Sequence, residues 1–278
     1  MLRVGIIQLN TGNQIAAAVD AAEAMVREAA AGGATFVTTP ETTHLMEMNR
    51  EAVLQKTCFE ADDQGLKRFQ ALAAELRIWL HIGSLIIKVT EDKLANRAFM
   101  ISPEGDIRAH YDKLHLFDVD LPNGERYRES RLYRPGKSAV TVATPFGTVG
   151  LTICYDLRFP HLYRTLAEEG ASIIMVPAAF TVETGEAHWQ TLLRARAIET
   201  GCYVLAAAQT GKHATGRSTY GHSLAIDPWG EILGDAHNTC GVEPGVMLVD
   251  LDLAKVAETR LTMPNLKHNR PFGVTQFE

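Results

Sequence analysis

Residues 148–168, reading TVGLTICYDLRFPHLYRTLAE, constrain the fold more than any other stretch of this chain. The apolar run at 149–153 predicts a buried strand, and from residue 159 apolar side chains recur at helical spacing. Cys154 therefore lies where a strand turns directly into a helix. Such a turn projects the thiol from the sheet end, where backbone N–H groups and a helix N-terminus favour thiolate. Two interpretations stay open at this point, a reactive cysteine and a small buried core cysteine.

The order of predicted elements indicates an α/β fold with mixed sheets. A strand at 3–9, a helix to about 31 with Asn13 as N-cap, and a strand at 34–39 form a parallel crossover unit. Strands at 171–177 and 202–209, with helices before and between them, repeat this plan in the second half. Strands at 94–101 and 107–111 are joined by a tight turn and must be antiparallel. Residues 118–135 form a long polar connection that we expect to have no element of its own.

Composition and charge narrow the class of protein. The 278 residues lack a linker or a shift in composition, so we expect one domain over 1–278, with 262–278 as a C-terminal tail. A net charge of −6 gives no reason to expect nucleic acid or membrane as a partner. No signal peptide or spanning segment is evident, and the widely separated cysteines suggest reduced thiols in the cytoplasm. The scattered histidines and cysteines predict no metal site, and we expect no cofactor.

Charged residues that follow predicted strands are candidate partners for Cys154. Glu41 comes directly after the second strand and Lys113 after the strand at 107–111, while Glu129 lies in the polar connection. Each could equally be a solvated surface charge. His161 lies one turn into the following helix, so it would not face the thiol. Glu41 could then be the general base, with Lys113 stabilising a thiolate and an oxyanion.

Three blocks give the chain a family resemblance. Residues 39–41 (TPE), 111–116 (YDKLHL) and 153–160 (ICYDLRFP) resemble, in order and spacing, the catalytic blocks of the carbon–nitrogen hydrolases, the nitrilase superfamily. The resemblance implies a four-layer αββα sandwich, usually a homodimer, in which the tail at 262–278 would contact the partner subunit. It implies Cys154 as nucleophile, Glu41 as general base, Lys113 as oxyanion and thiolate stabiliser, and Glu129 as the residue that orients the lysine.

Further blocks resemble one branch of the superfamily. Residues 177–180 (PAAF) and 187–189 (AHW) are shared with amidase members, and residues 202–213 and 218–223 are similar to deaminated-glutathione amidases. The loop around Asn123 and Gly124 departs from that branch. The resemblance implies cleavage of deaminated glutathione to 2-oxoglutarate and Cys-Gly. An ω-amidase acting on α-ketoglutaramate, a nitrilase, a carbamoyl-amino-acid hydrolase and a non-enzymatic scaffold protein remain open as well.

A substrate of this kind carries carboxylates at both ends and needs basic contacts. One loop near a sheet end supplies three candidates, Lys212, His213 and Arg217. A solvated basic loop is an equally simple interpretation of these residues.

The acyl pocket should be apolar and aromatic around the nucleophile. We expect Tyr155, Phe180 and Thr181 to line it, with the Tyr155 backbone N–H as a second oxyanion donor. Arg158 and Glu199 are predicted to pair and stiffen the Cys154 turn, in a supporting role.

Overall fold

The computed structural model describes residues 1–122 and 124–277. In chain order the strands are β1 (Leu2–Gln8), β2 (Phe36–Thr38), β3 (Trp79–Lys88), β4 (Leu94–Ile101), β5 (Ile107–Asp112), β6 (Asp118–Asp120), β7 (Arg126–Arg128), β8 (Val140–Thr144), β9 (Gly147–Leu151), β10 (Ala171–Met175), β11 (Tyr203–Ala206), β12 (Thr210–Lys212), β13 (Ser218–Tyr220), β14 (Leu224–Ile226), β15 (Ile232–Asp235) and β16 (Gly245–Leu251). The helices are α1 (Ile15–Ala31), α2 (Arg50–Lys56), α3 (Gln64–Leu76), α4 (Pro160–Glu168), α5 (Val182–Thr200), α6 (Ala236–Cys240) and α7 (Ala254–Thr262).

Two six-stranded sheets share one pairing pattern. The first has the order β16-β1-β2-β3-β4-β5 and the second the order β15-β14-β11-β10-β9-β8. In each sheet three consecutive strands are parallel, β1-β2-β3 and β9-β10-β11, and the remaining pairs are antiparallel. The mixed sheets and the likeness of the two halves are therefore confirmed.

The alternation of side chains along β1 explains the layering. Val4 and Ile6 belong to the core between the two sheets, together with Val149 of β9. Ile7 points the other way and packs with Val19 of α1 in the core beneath α1 and α3. Helices α4 and α5 cover the second sheet in the same manner. A strand buried on both faces must be almost wholly apolar, as β1 is, and the predicted four-layer αββα arrangement is confirmed.

Several strands end at one common edge of the first sheet. Strand β4 is antiparallel to both β3 and β5, so β5 runs in the same direction as β3. Because β2 is parallel to β3, all three strands end at the same edge of the sheet. Gly83 of β3 allows the close approach there, since a Cβ on it would lie 2.1 Å from the Thr39 carbonyl oxygen and 2.4 Å from Pro177 Cβ. The segments that carry Glu41 and Lys113 are therefore brought together by strand direction alone.

Two local predictions are wrong, and two short helices were not predicted. Helix α1 begins after Gln14, so Asn13 is not its N-cap. Residues 118–135 are not without structure, because β6 and β7 form a hairpin followed by a 3₁₀ turn at Glu129–Arg131. Asn123 lies outside the described residues. Helices α2 and α6 were not predicted, since five to seven residues give too short a periodic pattern.

In the part of the chain described, no helix is long and apolar enough to cross a bilayer.

Candidate active site

Cys154 occupies a strained turn at the end of β9. Its φ is +50°, in the left-handed region that non-glycine residues rarely adopt. The Cys154 N–H donates to the Pro177 carbonyl oxygen at 2.9 Å, and a 3₁₀ turn, Cys154–Arg158, follows. The side chain is buried but reaches the cavity described below. The turn that the sequence predicted is thus present, and it aims the thiol away from the sheet.

Asp156 ties this turn to the segment that carries Lys113. Its fully buried carboxylate accepts hydrogen bonds from the Tyr111 hydroxyl at 2.7 Å and from the Ile153 N–H at 2.9 Å. It also accepts from the His115 N–H at 3.1 Å and from His115 Nδ1 at 2.7 Å. The sequence alone assigned no role to Asp156, although an acidic residue two positions after a candidate nucleophile is a visible signal.

Two glutamates share one buried ammonium. Lys113 Nζ lies 2.9 Å from Glu41 Oε1 and 3.0 Å from Glu129 Oε2. The Phe117 N–H donates to Glu129 Oε2 at 2.6 Å. The structure therefore brings Glu41, Lys113 and Glu129 into one cluster, as the sequence predicted.

Two further donors complete the cluster, and neither was predicted. Asn96 Nδ2 donates to Glu41 Oε1 at 2.8 Å and to Glu129 Oε1 at 3.3 Å. The Ala179 N–H donates to Glu41 Oε2 at 2.9 Å. Both Glu41 oxygens consequently accept charge-stabilising hydrogen bonds, and the carboxylate is fixed in one orientation.

The charges of the cluster stabilise one another. Burial disfavours ionisation of Glu41, but the Lys113 ammonium and hydrogen bonds from Cys154 and Lys113 outweigh it and hold the Glu41 pKa below its ordinary value. Burial acts against the Lys113 ammonium as well, yet the Glu129 and Glu41 carboxylates raise the Lys113 pKa well above its usual range. Glu41 is therefore ionised and Lys113 charged at neutral pH.

The Cys154 thiol is protonated in the resting protein. Burial raises its pKa well above that of a free cysteine, and the neighbouring Glu41 carboxylate raises it further, against the opposing effect of Lys113. The expectation that the turn favours thiolate is thus wrong for the resting state, because burial and a like charge outweigh the N–H groups of a short 3₁₀ turn. A neutral thiol beside an ionised carboxylate is suited to proton transfer during attack.

A cavity of about 650 Å³ opens above the thiol. Of the predicted substrate-binding residues, the lining includes Tyr155, Phe180, Thr181 and Arg217. Arg217 Nη2 donates to the Ala179 carbonyl oxygen at 2.6 Å, and its guanidinium lies 5.4 Å from the centre of the Tyr127 ring. Its Nε is buried and has no partner among the described residues. Arg217 therefore places a positive charge in the cavity wall, and its Nε–H donor has no partner among the described residues.

Lys212 and His213 are not among the residues that line this cavity. Lys212 is exposed at the end of β12. His213 is buried, with Nδ1 2.9 Å from the Thr11 carbonyl oxygen and Nε2 2.7 Å from Thr219 Oγ1. Both ring nitrogens of His213 are thus occupied by contacts that hold the loop.

Arg158 belongs to the cavity and does not pair with Glu199. Its guanidinium lies 5.4 Å from the centre of the Phe180 ring, and both Nη atoms lie 3.4 Å from His188 Nδ1. Glu199 instead accepts a hydrogen bond from Arg196 at 2.8 Å. The predicted Arg158–Glu199 pair is wrong, because the Cys154 turn directs Arg158 towards the cavity, whose lining it joins.

Comparison with known proteins assigns the chain to a family. The model of the family described as Carbon-nitrogen hydrolase matches residues 3–261. The chain belongs to the carbon–nitrogen hydrolase family. A relative from Yersinia enterocolitica is 37% identical over 270 residues, covering 96% of this chain and 92% of the relative, and is named deaminated glutathione amidase. A Synechocystis relative with that name is 39% identical over 266 residues, covering 94% of this chain and 96% of its own.

Solved structures agree with this family. The Caenorhabditis elegans NitFhit protein superposes with a TM-score of 0.90 at 36% identity, over 97% of this chain. The chain spans 65% of that longer protein. A Saccharomyces cerevisiae member of the nitrilase superfamily superposes with a TM-score of 0.83 at 25% identity, covering 95% of this chain and 94% of its own. The nitrilase-type sandwich is confirmed, and this carbon–nitrogen hydrolase is an amide-hydrolysing enzyme of the thiol type.

The cluster around the cavity suits acyl transfer. It combines a thiol, an ionised carboxylate that can take its proton, and an ammonium that can stabilise an oxyanion. Within residues 1–122 and 124–277, no group of three or more histidine, cysteine, aspartate or glutamate side chains could hold a metal ion.

Proposed function

We propose that this carbon–nitrogen hydrolase cleaves deaminated glutathione to 2-oxoglutarate and Cys-Gly through a thioester on Cys154. The observation that carries the proposal is the name shared by relatives that are 37–39% identical over at least 94% of the chain. The charge of the cavity supports it, since Arg158 and Arg217 stand in the wall and the substrate has a carboxylate at each end.

In the proposed acylation, Glu41 takes the thiol proton as Cys154 Sγ attacks the amide carbon. Glu41 Oε1 already accepts hydrogen bonds from Lys113 and Asn96, whereas Oε2 accepts one from the Ala179 N–H, so Oε2 is the oxygen that takes the proton. The Lys113 ammonium and the Tyr155 N–H stabilise the oxyanion. When the C–N bond breaks, the proton passes from Glu41 to the leaving amine of Cys-Gly, and a 2-oxoglutaryl thioester remains.

Deacylation repeats the same steps with water. Glu41, ionised again, takes a proton from a water molecule that attacks the thioester carbon. Collapse of the second tetrahedral intermediate breaks the C–S bond, and the proton held by Glu41 returns to the departing thiolate. Free enzyme, 2-oxoglutarate and Cys-Gly are the products. Glu129 accepts from Lys113 and Asn96 and keeps the ammonium in place throughout.

The substrate carboxylates are proposed to bind arginine. Arg217 is the stronger candidate because its Nε is buried without a partner among the residues described, and an arginine fork binds a carboxylate through two parallel hydrogen bonds. Arg158, on the Phe180 side of the cavity, is the second candidate to bind a substrate carboxylate. Tyr155, Phe180 and Thr181 provide the pocket for the acyl chain. Lys212 and His213, which lie outside the cavity lining, are not assigned to the substrate.

The substrate assignment is tested by comparing kcat/KM on deaminated glutathione and on α-ketoglutaramate, the substrate of an ω-amidase. We expect a clear preference for the first. A large preference for α-ketoglutaramate would contradict the assignment. Turnover of neither amide, with turnover of a nitrile or of a carbamoyl amino acid, would favour a nitrilase or a carbamoyl-amino-acid hydrolase. A scaffold without activity would turn over none of them.

We also propose that residues 1–278 form one domain and that two copies form a homodimer in the cytoplasm. Exposed apolar side chains support a subunit contact, with Ile198 of α5 50% exposed, Trp229 57% and Phe272 of the tail 88%. The C-terminal tail at 262–278, of which Glu278 lies outside the described residues, would cover part of this surface. Four free cysteines suit a reducing compartment. Sedimentation that shows only monomer at micromolar concentration would contradict the dimer.

A further inference from the structure

Asn96 of β4 contacts all three charged residues of the cluster, the two carboxylates through its side chain and Lys113 through its main chain. Asn96 Nδ2 donates to Glu41 Oε1 at 2.8 Å and to Glu129 Oε1 at 3.3 Å, and the Asn96 carbonyl oxygen accepts from the Lys113 N–H at 3.0 Å. We propose that Asn96 is a positioning residue for amide hydrolysis. Its amide holds the two carboxylates around one ammonium and turns the Oε2 edge of Glu41 towards the Cys154 thiol.

The count of charges explains why such a donor is needed. Two carboxylates, the buried Glu41 and the partly buried Glu129, face one ammonium, so the lysine alone leaves one negative charge uncompensated. Two carboxylates that share a site without further donors raise the pKa of one of them. Asn96 adds N–H donors without adding a charge, and hydrogen bonds donated to a carboxylate favour its ionised form.

The orientation of the Asn96 amide is fixed by these contacts. The opposite orientation would place Oδ1 against the Glu41 and Glu129 oxygens, which can only accept hydrogen bonds when ionised. In the observed orientation Oδ1 is buried and has no partner in the part of the chain that the structure describes. An unsatisfied buried acceptor lowers stability, so this asparagine is better explained by the reaction than by folding.

Glu41 is held on its other edge by a separate donor. The Ala179 N–H donates to Oε2 at 2.9 Å, and the Gln209 amide donates to the Glu41 backbone carbonyl oxygen at 2.9 Å. With Asn96 and Lys113 on Oε1, the carboxylate has no freedom to rotate. Loss of Asn96 alone would leave Lys113 as the remaining side-chain donor to Oε1 and would leave the backbone position unchanged.

This role predicts a shift in the pH profile. Glu41 must be ionised to take the thiol proton, so kcat/KM falls as pH drops through its pKa. Hydrogen bonds from Asn96 favour the ionised form, and their loss should move the acid limb to higher pH by about one unit. Glu41 also interacts electrostatically with Lys113, Cys154, Arg217 and Tyr133, and Glu129 contacts the same Lys113 ammonium.

The test compares Asn96→Ala and Asn96→Asp with wild type. We expect kcat/KM on deaminated glutathione to fall about 100-fold in Asn96→Ala and further in Asn96→Asp, mainly through kcat. In both variants the acid limb of the pH profile of kcat/KM should move to higher pH. Asn10→Asp is the matched control, because Asn10 Nδ2 donates to the Thr210 carbonyl oxygen and touches neither carboxylate. Its acid limb should stay at the wild-type pH.

Circular dichroism melting of each variant separates positioning from folding. We expect Asn96→Ala to melt within a few degrees of wild type, since Oδ1 is unsatisfied in the native protein. Unchanged kcat/KM in Asn96→Ala would overturn the proposal. A loss of kcat/KM with the acid limb at the wild-type pH would also overturn it, since the residue would then serve packing alone.

The inference rests on the proposed role of Glu41, and Glu41→Gln distinguishes the two failures. If Glu41→Gln retains near-normal turnover, the proposed mechanism is wrong, and the positioning role of Asn96 is wrong with it. If Glu41→Gln is inactive while the Asn96 variants behave like wild type, only the role of Asn96 fails.

Discussion

Replacing Lys113 by methionine should invert the pH dependence of stability at the cluster. Lys113 Nζ lies 2.9 Å from Glu41 and 3.0 Å from Glu129, and the lysine is almost fully buried. At an effective dielectric constant of about 20, each contact contributes about 6 kcal/mol of attraction before the cost of desolvation is subtracted. Removal of one partner from a buried pair lowers the free energy of unfolding by about 3–5 kcal/mol. We expect a loss of that size near neutral pH.

The sign of the change in stability with pH follows from the folded-state carboxyl pKa in wild type and in Lys113→Met. In wild type the Glu41 pKa lies below its unfolded value, so its contribution is present above the unfolded pKa and is lost as pH falls through the folded pKa. In Lys113→Met the buried Glu41 carboxylate faces the Glu129 carboxylate without the ammonium, and burial and the like charge raise the Glu41 pKa above its unfolded value. That carboxyl stabilises the variant when protonated, and the contribution is lost as pH rises through the raised pKa.

The difference in the free energy of unfolding between wild type and Lys113→Met should therefore be larger at about pH 8 than at about pH 5. Urea unfolding followed by circular dichroism at fixed protein concentration measures it. Lys67→Met, at an exposed lysine of α3, is the matched control and should show no such trend. A gap that is equal at both pH values, or wider at the lower one, would refute the electrostatic reasoning.

Three further variants test other parts of the site. Cys154→Ala should abolish turnover of deaminated glutathione and leave the circular dichroism spectrum unchanged; near-normal turnover would remove Cys154 from the mechanism. Arg217→Met should raise KM about 10- to 100-fold through loss of a charged hydrogen bond, whereas Lys212→Met should leave it unchanged, and equal effects would contradict the placement of the carboxylate. Asp156→Asn should lower the free energy of unfolding by about 1–3 kcal/mol, since all four groups around it donate, and a variant as stable as wild type in urea would count against this role of the carboxylate.

Residues that follow strands were predictable from sequence. Glu41, Lys113 and Cys154 each follow a strand within three residues, and strand direction alone brings the ends of β2 and β5 to one edge. The family blocks then assigned the chemistry. These predictions succeeded because they depend on element order, which local sequence determines well.

Side-chain direction within a strand and loop placement were not predictable. Asn96 lies inside β4, and nothing local shows that its amide meets Glu41, 55 positions earlier in the chain. Lys212 and Arg217 belong to one loop, yet the β12–β13 hairpin leaves only the arginine in the cavity wall. The protonation of Cys154 depends on burial and on Glu41, which only the packed structure reveals.

The mass of the acyl-enzyme tests the central claim, a thioester on Cys154, most directly. The enzyme is mixed with deaminated glutathione, quenched in acid during turnover and digested for mass spectrometry. We expect a 2-oxoglutaryl group on the peptide that carries Cys154, absent from Cys154→Ala. An adduct on a different residue, or turnover with no adduct at any quench time in a variant whose deacylation is slowed, would contradict the thioester mechanism.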